Sequence, residues 1–121
     1  KDEEERMKER EWQIKKRIFL EFLKVLDDFE RAEKELPKIN EKNYLDWAKG
    51  MIKIKERIKK ILEKEGVEEI EKKEKFLPEL HEAVEWAEGE EGKILEVFEK
   101  GYFLDKKLLR PAKVKVGKGK K

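Results

Sequence analysis

Residues 12–36 read WQIKKRIFLEFLKVLDDFERAEKEL, without a Pro or a Gly. Ile14, Ile18, Phe22, Val25, Phe29, Ala32 and Leu36 step by four or three, the spacing of one helix face. Phe19, Leu23 and Leu26 make a second apolar track beside the first. One packed neighbour covers one stripe, so two tracks on a long helix require two neighbours. The chain has few other helices to supply them. A second copy of the same chain is the simplest source.

Upstream, residues 1–11 are almost wholly charged. Glu4–Lys8 and Glu11–Lys15 stand four apart with the acid first, the order that supports a helix. These residues extend the long helix, which from Lys1 to Leu36 would span roughly 50 Å at 1.5 Å per residue. That is too long for a small monomeric globule. Trp12 packs where the charged part meets the apolar part.

Downstream, Pro37 ends the helix, because it lacks an amide proton and restrains its predecessor. Asn40 is a fair N-cap, and Glu41 suits the positive end of the next helix dipole. A second helix is predicted from about Glu41 to Glu65. Tyr44, Ala48, Met51 or Ile52, Ile54 or Lys55, Ile58, and Ile61 or Leu62 form its apolar face. Gly66 is a C′ residue able to take positive φ. Gly50, inside the helix, costs about 1 kcal/mol against Ala, a cost that a close helix–helix approach would offset. Two helices joined by a short loop make an αα-hairpin, and two such hairpins make a four-helix bundle with both tracks covered. The candidate dimer contacts are Ile14, Ile18, Phe22, Val25 and Phe29 on the first helix, and Tyr44, Ala48, Met51 and Ile58 on the second.

After Gly66 the period changes. Ala83-Val84, Ile94–Phe98, Tyr102–Leu104, Leu108-Leu109 and Val114–Val116 are short, rich in β-branched and aromatic residues, and separated by turn signals. GEEG, residues 89–92, is a loop. Asp105-Lys106 is the tip of a hairpin joining Tyr102–Leu104 to Leu108–Arg110. The predicted fold class is α+β: a long helix over 1–36, a second bundle helix over 37–66, a small β-domain over 67–116 and a disordered tail over 117–121.

Composition narrows the function. Of 121 residues, 51% are charged, yet the formal net charge is only +2. Balanced charge at that density suits solvated helices laced with ion pairs rather than a nucleic-acid binder. The Glu and Lys bias is of the kind seen in hyperthermophile proteins. Absence of Cys removes thiolate chemistry and disulfides and fits a reducing compartment, so the cytoplasm is the expected location. No apolar run approaches the roughly 20 residues needed to span a bilayer, no signal-peptide pattern is visible, and no membrane partner is expected. Charge is uneven along the chain. Residues 67–96 hold 4 Lys against 11 acids, and residues 97–121 hold 9 Lys or Arg against 2 acids. The last quarter therefore reads as a basic surface.

LDDFERA (Leu26–Ala32), AKGMIKI (Ala48–Ile54), EGVEEI (Glu65–Ile70), LHEAV (Leu80–Val84) and above all KGYFLDKKLLRPAKVKV (Lys100–Val116) resemble the GrpE family, the nucleotide exchange factors of DnaK-type heat-shock chaperones. The segments occur in order and span about residues 12–117. The resemblance implies a homodimer with a long paired helix, a four-helix bundle and a small β-domain on each protomer. It also implies that one β-domain wedges against the chaperone's nucleotide-binding domain, opens the cleft and releases ADP. Where the family's hairpin tip often carries Asn-Gly or Gly-Asp with an Arg, this chain has Asp105-Lys106-Lys107, and the positive charge survives as Lys107.

The candidate chaperone-binding residues are Phe98, Lys100, Lys107, Arg110 and Val116. Apolar anchors flanked by basic residues suit a steered protein interface. Phe98 and Val116 have a core alternative, because alternate strand residues point inward. Arg110 has an alternative role in holding the fold through a carboxylate or backbone carbonyls. Gly101 and Pro111 read as backbone devices.

His81 is the single His, and with no Cys or second His it reads as a structural residue rather than a ligand. No carboxylate pair stands in an apolar setting, no nucleophile–base set is visible, and GKGKK lacks the flanking strand and helix of a phosphate loop. The expectation is a protein that is not an enzyme, carries no metal or cofactor, and acts on a nucleotide-binding partner. A dimeric scaffold with a basic nucleic-acid-binding end is the second reading, on Lys113, Lys115, Lys118, Lys120 and Lys121, although no stacking aromatics accompany that run.

Overall fold

A computed structural model describes residues 2–38 and 42–120. The fold is α+β, with two helices followed by six strands. The chain divides into two compact units, Lys1–Glu65 and Gly66–Lys121.

In the first unit, α1 runs Asp2–Lys34 and α2 runs Lys42–Lys64, with a 3-10 turn at Leu36–Lys38 between them. Four acids open α1 and Arg31 and Lys34 lie in its last turn, each sign at the dipole end that favours it. The α-helix stops two residues short of Leu36, because a proline disfavours the α conformation just before it, and the chain tightens into the 3-10 turn instead. The cap at Asn40 and the first-turn Glu41 lie outside the described residues. Gly66 has φ 95°, the left-handed conformation that ends α2.

One row of covered positions on each helix follows the same rule. On α1, Trp12, Lys16, Phe19, Leu23, Leu26, Glu30 and Glu33 are buried or half-buried and step alternately by four and three. On α2, Leu45, Ala48, Ile52, Lys55, Lys59 and Leu62 do the same. This is the alternation of helices packed side by side. Leu23 is 0% exposed and Leu26 2%. Lys55, Glu30 and Glu33 of the seam are matched. Lys55 Nζ lies 2.5 Å from Glu33, 3.1 Å from Glu30 and 3.4 Å from Glu56. Burial pulls the Lys55 pKa down, but hydrogen bonds to Glu33 and Glu30 outweigh it and hold the ammonium above the usual lysine range.

The other track of α1 stays open. Ile14, Ile18, Phe22 and Val25 are 44%, 48%, 50% and 44% exposed. On α2, Tyr44, Trp47, Ile54 and Ile61 are also exposed, the last three at steps of seven. Phe29, Met51 and Ile58 are half-buried. An open cavity of about 260 Å³ at the loop end is lined by Phe29, Ala32, Leu36, Tyr44, Trp47 and Met51 among others, so residues of both helices share one apolar recess. Two expectations change. Ala48, read as a dimer contact, is buried within its own hairpin, because it sits on the seam and not on the open face. Gly50 makes no close approach within its own hairpin, since a Cβ added there would meet nothing of this chain within 4 Å.

The second unit holds two three-stranded sheets. β1 (Val67–Glu69), β4 (Tyr102–Leu104) and β5 (Lys107–Arg110) form one, in the order β1-β4-β5, all antiparallel. β2 (His81–Ala87), β3 (Ile94–Glu99) and β6 (Ala112–Gly117) form the other, with β6 central, parallel to β2 and antiparallel to β3. Ala112, Val114 and Val116 project from β6 into a core with Phe76, Ala83, Ile94 and Val97. β1 has no counterpart in the sequence reading, because Val67-Glu68-Glu69 offers a single apolar residue. The hairpin tip at Asp105-Lys106 has φ 49° and 70°, the two positive values of a type I′ turn. Beyond β6, the amides of Lys118 and Gly119 donate to the carbonyls of Ala87 and Gly89, in the stretch read as a tail.

Candidate partner-binding surface

β6 puts Lys113 and Lys115 on the face opposite its buried valines, as strand alternation requires. Lys115 lies opposite Glu85 of β2 and Glu96 of β3, and Lys113 opposite Glu82 and Glu99. The Lys115 ammonium is 3.3 Å from Glu96 and 3.6 Å from Glu85. Its pKa is raised, first by the hydrogen bond to Glu96 and then by the charge of Glu85. Lys113 is 4.0 Å from Glu99. β6, from the basic quarter, is thus threaded between β2 and β3, and its lysines face their carboxylates. The basic surface suggested by the sequence is interrupted at Lys113 and Lys115. The nucleic-acid reading loses its footing with it, because Lys113 and Lys115 are engaged by carboxylates.

Apolar residues emerge where the register slips. The β2–β6 ladder is irregular between Ala83 and Glu85, and the β3–β6 ladder between Ile94 and Glu96 and again between Val97 and Glu99. Val84, Leu95 and Phe98 are the residues left over, and all three are exposed. A bulge re-aims a side chain that regular pairing would place elsewhere. Phe98 is 38% exposed, with the Lys115 ammonium 5.8 Å from its ring centroid. Lys115, Val84 and Leu95 were not among the predicted partner contacts. The register slips that expose Val84 and Leu95 appear only once strand partners are known.

The other predicted contacts divide. Lys100 is half-buried with its ammonium 3.8 Å from Glu69. Lys107 follows the I′ turn and is exposed. Arg110 is largely buried: its Nε donates to the Lys100 carbonyl at 2.8 Å, its Nη1 is 3.5 Å from Glu99 Oε1, and its guanidinium lies 5.4 Å from the Tyr102 ring centroid. Val116 is 0% exposed and presents no side chain to a partner; it faces the core because it shares the parity of Ala112 and Val114. Gly101 is wedged, since a Cβ there would lie 2.5 Å from the Ala112 nitrogen and 2.8 Å from the Pro111 carbonyl carbon.

His81 is buried, its ring 6.0 Å from that of Phe76, and the Leu77 amide donates to its Nδ1 at 2.9 Å. Burial lowers its pKa below the ordinary 6.5, with Lys73 acting the same way and Glu79 opposing. A bare Nδ1 is needed to accept the amide, so the fold holds the ring neutral. Among the described residues no three His, Cys, Asp or Glu side chains gather as a metal site, and no helix is long and apolar enough to cross a membrane.

A helical hairpin with an uncovered apolar face, followed by a two-sheet β unit, defines the architectural class. The GrpE family model matches residues 1–118. The chain is 43% identical over 102 residues to Protein GrpE of Pseudothermotoga lettingae, covering 82% of this chain and 58% of that protein. It is 44% identical over 103 residues to Protein GrpE of Thermotoga maritima, covering 82% and 56%. Against Protein GrpE of Caldanaerobacter subterraneus subsp. tengcongensis it is 41% identical over 105 residues, covering 84% and 49%. The chain belongs to the GrpE family. It spans about half the length of the curated relatives it matches.

Proposed function

We propose that this chain is a nucleotide exchange factor for a DnaK-type chaperone and that it works as a homodimer in the cytoplasm. Membership of the GrpE family across residues 1–118 is the observation that carries this reading. In it, the open stripe of α1 (Ile14, Ile18, Phe22, Val25, Phe29) and the open face of α2 (Tyr44, Met51, Ile58, joined by Trp47, Ile54 and Ile61) pair with the same surfaces of a second copy in a four-helix bundle. Burying such side chains contributes roughly 1 kcal/mol each when they start half-exposed.

The β unit binds the nucleotide-binding domain of the chaperone. Phe98, Lys100 and Lys107 are the proposed contacts, with Arg110 behind them. Exchange then needs only differential affinity. A β unit that holds the open cleft more tightly than the closed one shifts the population toward open, by about 1.4 kcal/mol for each tenfold preference. ADP leaves the opened cleft. ATP binding favours closure and, by reciprocity, expels the factor. The chain performs no covalent step.

Stopped-flow release of a fluorescent ADP from a DnaK-type chaperone tests the reading. Adding the chain should speed release at least about tenfold, one such tenfold preference expressed as rate. A flat response at all concentrations would reject it.

A further inference from the structure

Strand β3 passes Val97 opposite Val114 and Glu99 opposite Lys113, with the register slipping between them. Phe98 is the surplus residue, so its direction depends on how the chain is held just beyond the slip. The holding group comes from the other sheet. Arg110, on β5, has a side chain only 12% exposed. It reaches Glu99 through Nη1 at 3.5 Å and the Lys100 carbonyl through Nε at 2.8 Å. Its guanidinium carbon lies over the ring of Tyr102, its partner in the β4–β5 ladder, 5.4 Å from the centroid. Between these points the Gly101 carbonyl accepts the Ile70 amide at 2.9 Å. The connection from Glu99 to Tyr102 is therefore gripped at each residue, three of the four times by Arg110.

We infer that Arg110 is a positioning residue for the partner-binding surface: by gripping Glu99 and the Lys100 carbonyl it sets the direction in which Phe98 and Lys100 are presented. The inference rests on the exchange reading above. A guanidinium suits the task because its planar fork offers several donors at fixed angles while its face stacks on a ring. An ammonium keeps the charge and loses the plane, so Arg110→Lys removes the grip without changing net charge.

The test is ADP release from the chaperone measured over a range of concentrations of the full chain. Arg110→Lys should raise the half-maximal concentration about tenfold, the size of one lost charge-assisted hydrogen bond, with the plateau rate retained. In a Phe98→Ala, Lys100→Ala background the same substitution should add less than about twofold, because direction no longer matters once those side chains are gone. An arginine that served the fold alone would instead multiply its effect in full in that background, and this outcome overturns the inference. Should Arg110→Lys fail to fold by circular dichroism, Glu99→Gln decides: it should raise the half-maximal concentration and lose that effect in the same background, and no shift overturns the inference. Wild-type chain that speeds release while Arg110→Lys stays within twofold of it removes the positioning role alone. Wild-type chain that never speeds release removes the exchange reading, and the positioning role falls with it.

Discussion

In residues 66–121 the central strand buries Ala112, Val114 and Val116 completely or nearly so, whereas in residues 1–65 Ile14, Ile18, Phe22 and Val25 stand about half-exposed along one helix. The β unit also shows apolar residues to solvent, but Val84, Leu95 and Phe98 sit singly at register slips. Those of α1 form a continuous row. The difference teaches where each unit spends its apolar surface. A sheet pair can close on itself, and Val84, Leu95 and Phe98, though not Trp86, are exposed at exceptions to the pairing. A two-helix hairpin has one seam, and a second stripe has nothing in the same hairpin to meet.

The sharpest way to break the contrast is to charge the row. Ile18→Asp with Val25→Asp should weaken self-association by about a thousandfold, because each unpaired charge at a closed apolar contact costs several kcal/mol. Sedimentation velocity over a dilution series reads the effect. A species distribution unchanged from wild type would mean that the row is not a contact. The β unit should be blind to this substitution and sensitive to the next. Gly101→Ala drives a methyl against the backbone at Ala112 and Pro111 and should destabilise the β unit by about 2–3 kcal/mol, the range for overpacking a tight site. Hydrogen exchange should accelerate at the β6 amides and not at α1.

Acid should also separate the two units. The unfolded chain takes up a proton on His81 near pH 6.5, and the folded chain only at lower pH. Stability of the β unit therefore falls as pH drops from about 7 through the folded pKa, and levels off below it. The slope from this one group is at most about 1.4 kcal/mol per pH unit. Melting curves of His81→Gln should lack this slope, and a retained slope would assign it elsewhere. The smallest effect is a gain. Lys106 holds φ 70° at the second centre of the I′ turn, and Lys106→Gly should stabilise the β unit by about 0.5–1 kcal/mol by relieving it. A loss of thermal stability would show that the Lys106 side chain contributes more than its backbone costs.

The two tracks of α1 were legible because helical spacing is local, and the tip at Asp105-Lys106 was legible because turn chemistry is local as well. α2 was read as one broad apolar face. It resolves into a seam through Ala48, Ile52 and Lys55 and an open face through Trp47, Ile54 and Ile61, and hydrophobicity alone cannot separate two faces about a quarter-turn apart. Spacing leaves Ile54 and Lys55 as alternatives for one face position; Glu30 and Glu33, more than twenty residues away, make Lys55 the seam residue. The basic quarter misled for the same reason. Lys113 and Lys115 are neutralised by carboxylates on β2 and β3, and that placement follows from strand order, which spacing along the chain does not encode. Arg110 is open between contact and scaffold in the sequence, because its neighbours Glu99, Lys100 and Tyr102 are fixed by strand placement.

The middle strand of the β2-β6-β3 sheet is the last of the three in chain order. β2 and β3 do not pair with each other, so during synthesis both must leave the ribosome and wait without a strand neighbour until residues 112–117 emerge. The sheet β1-β4-β5 needs nothing beyond Arg110 and can zip first. Within this sheet the final strand is the keystone, because neither flank has its ladder partner before residues 112–117 are in place.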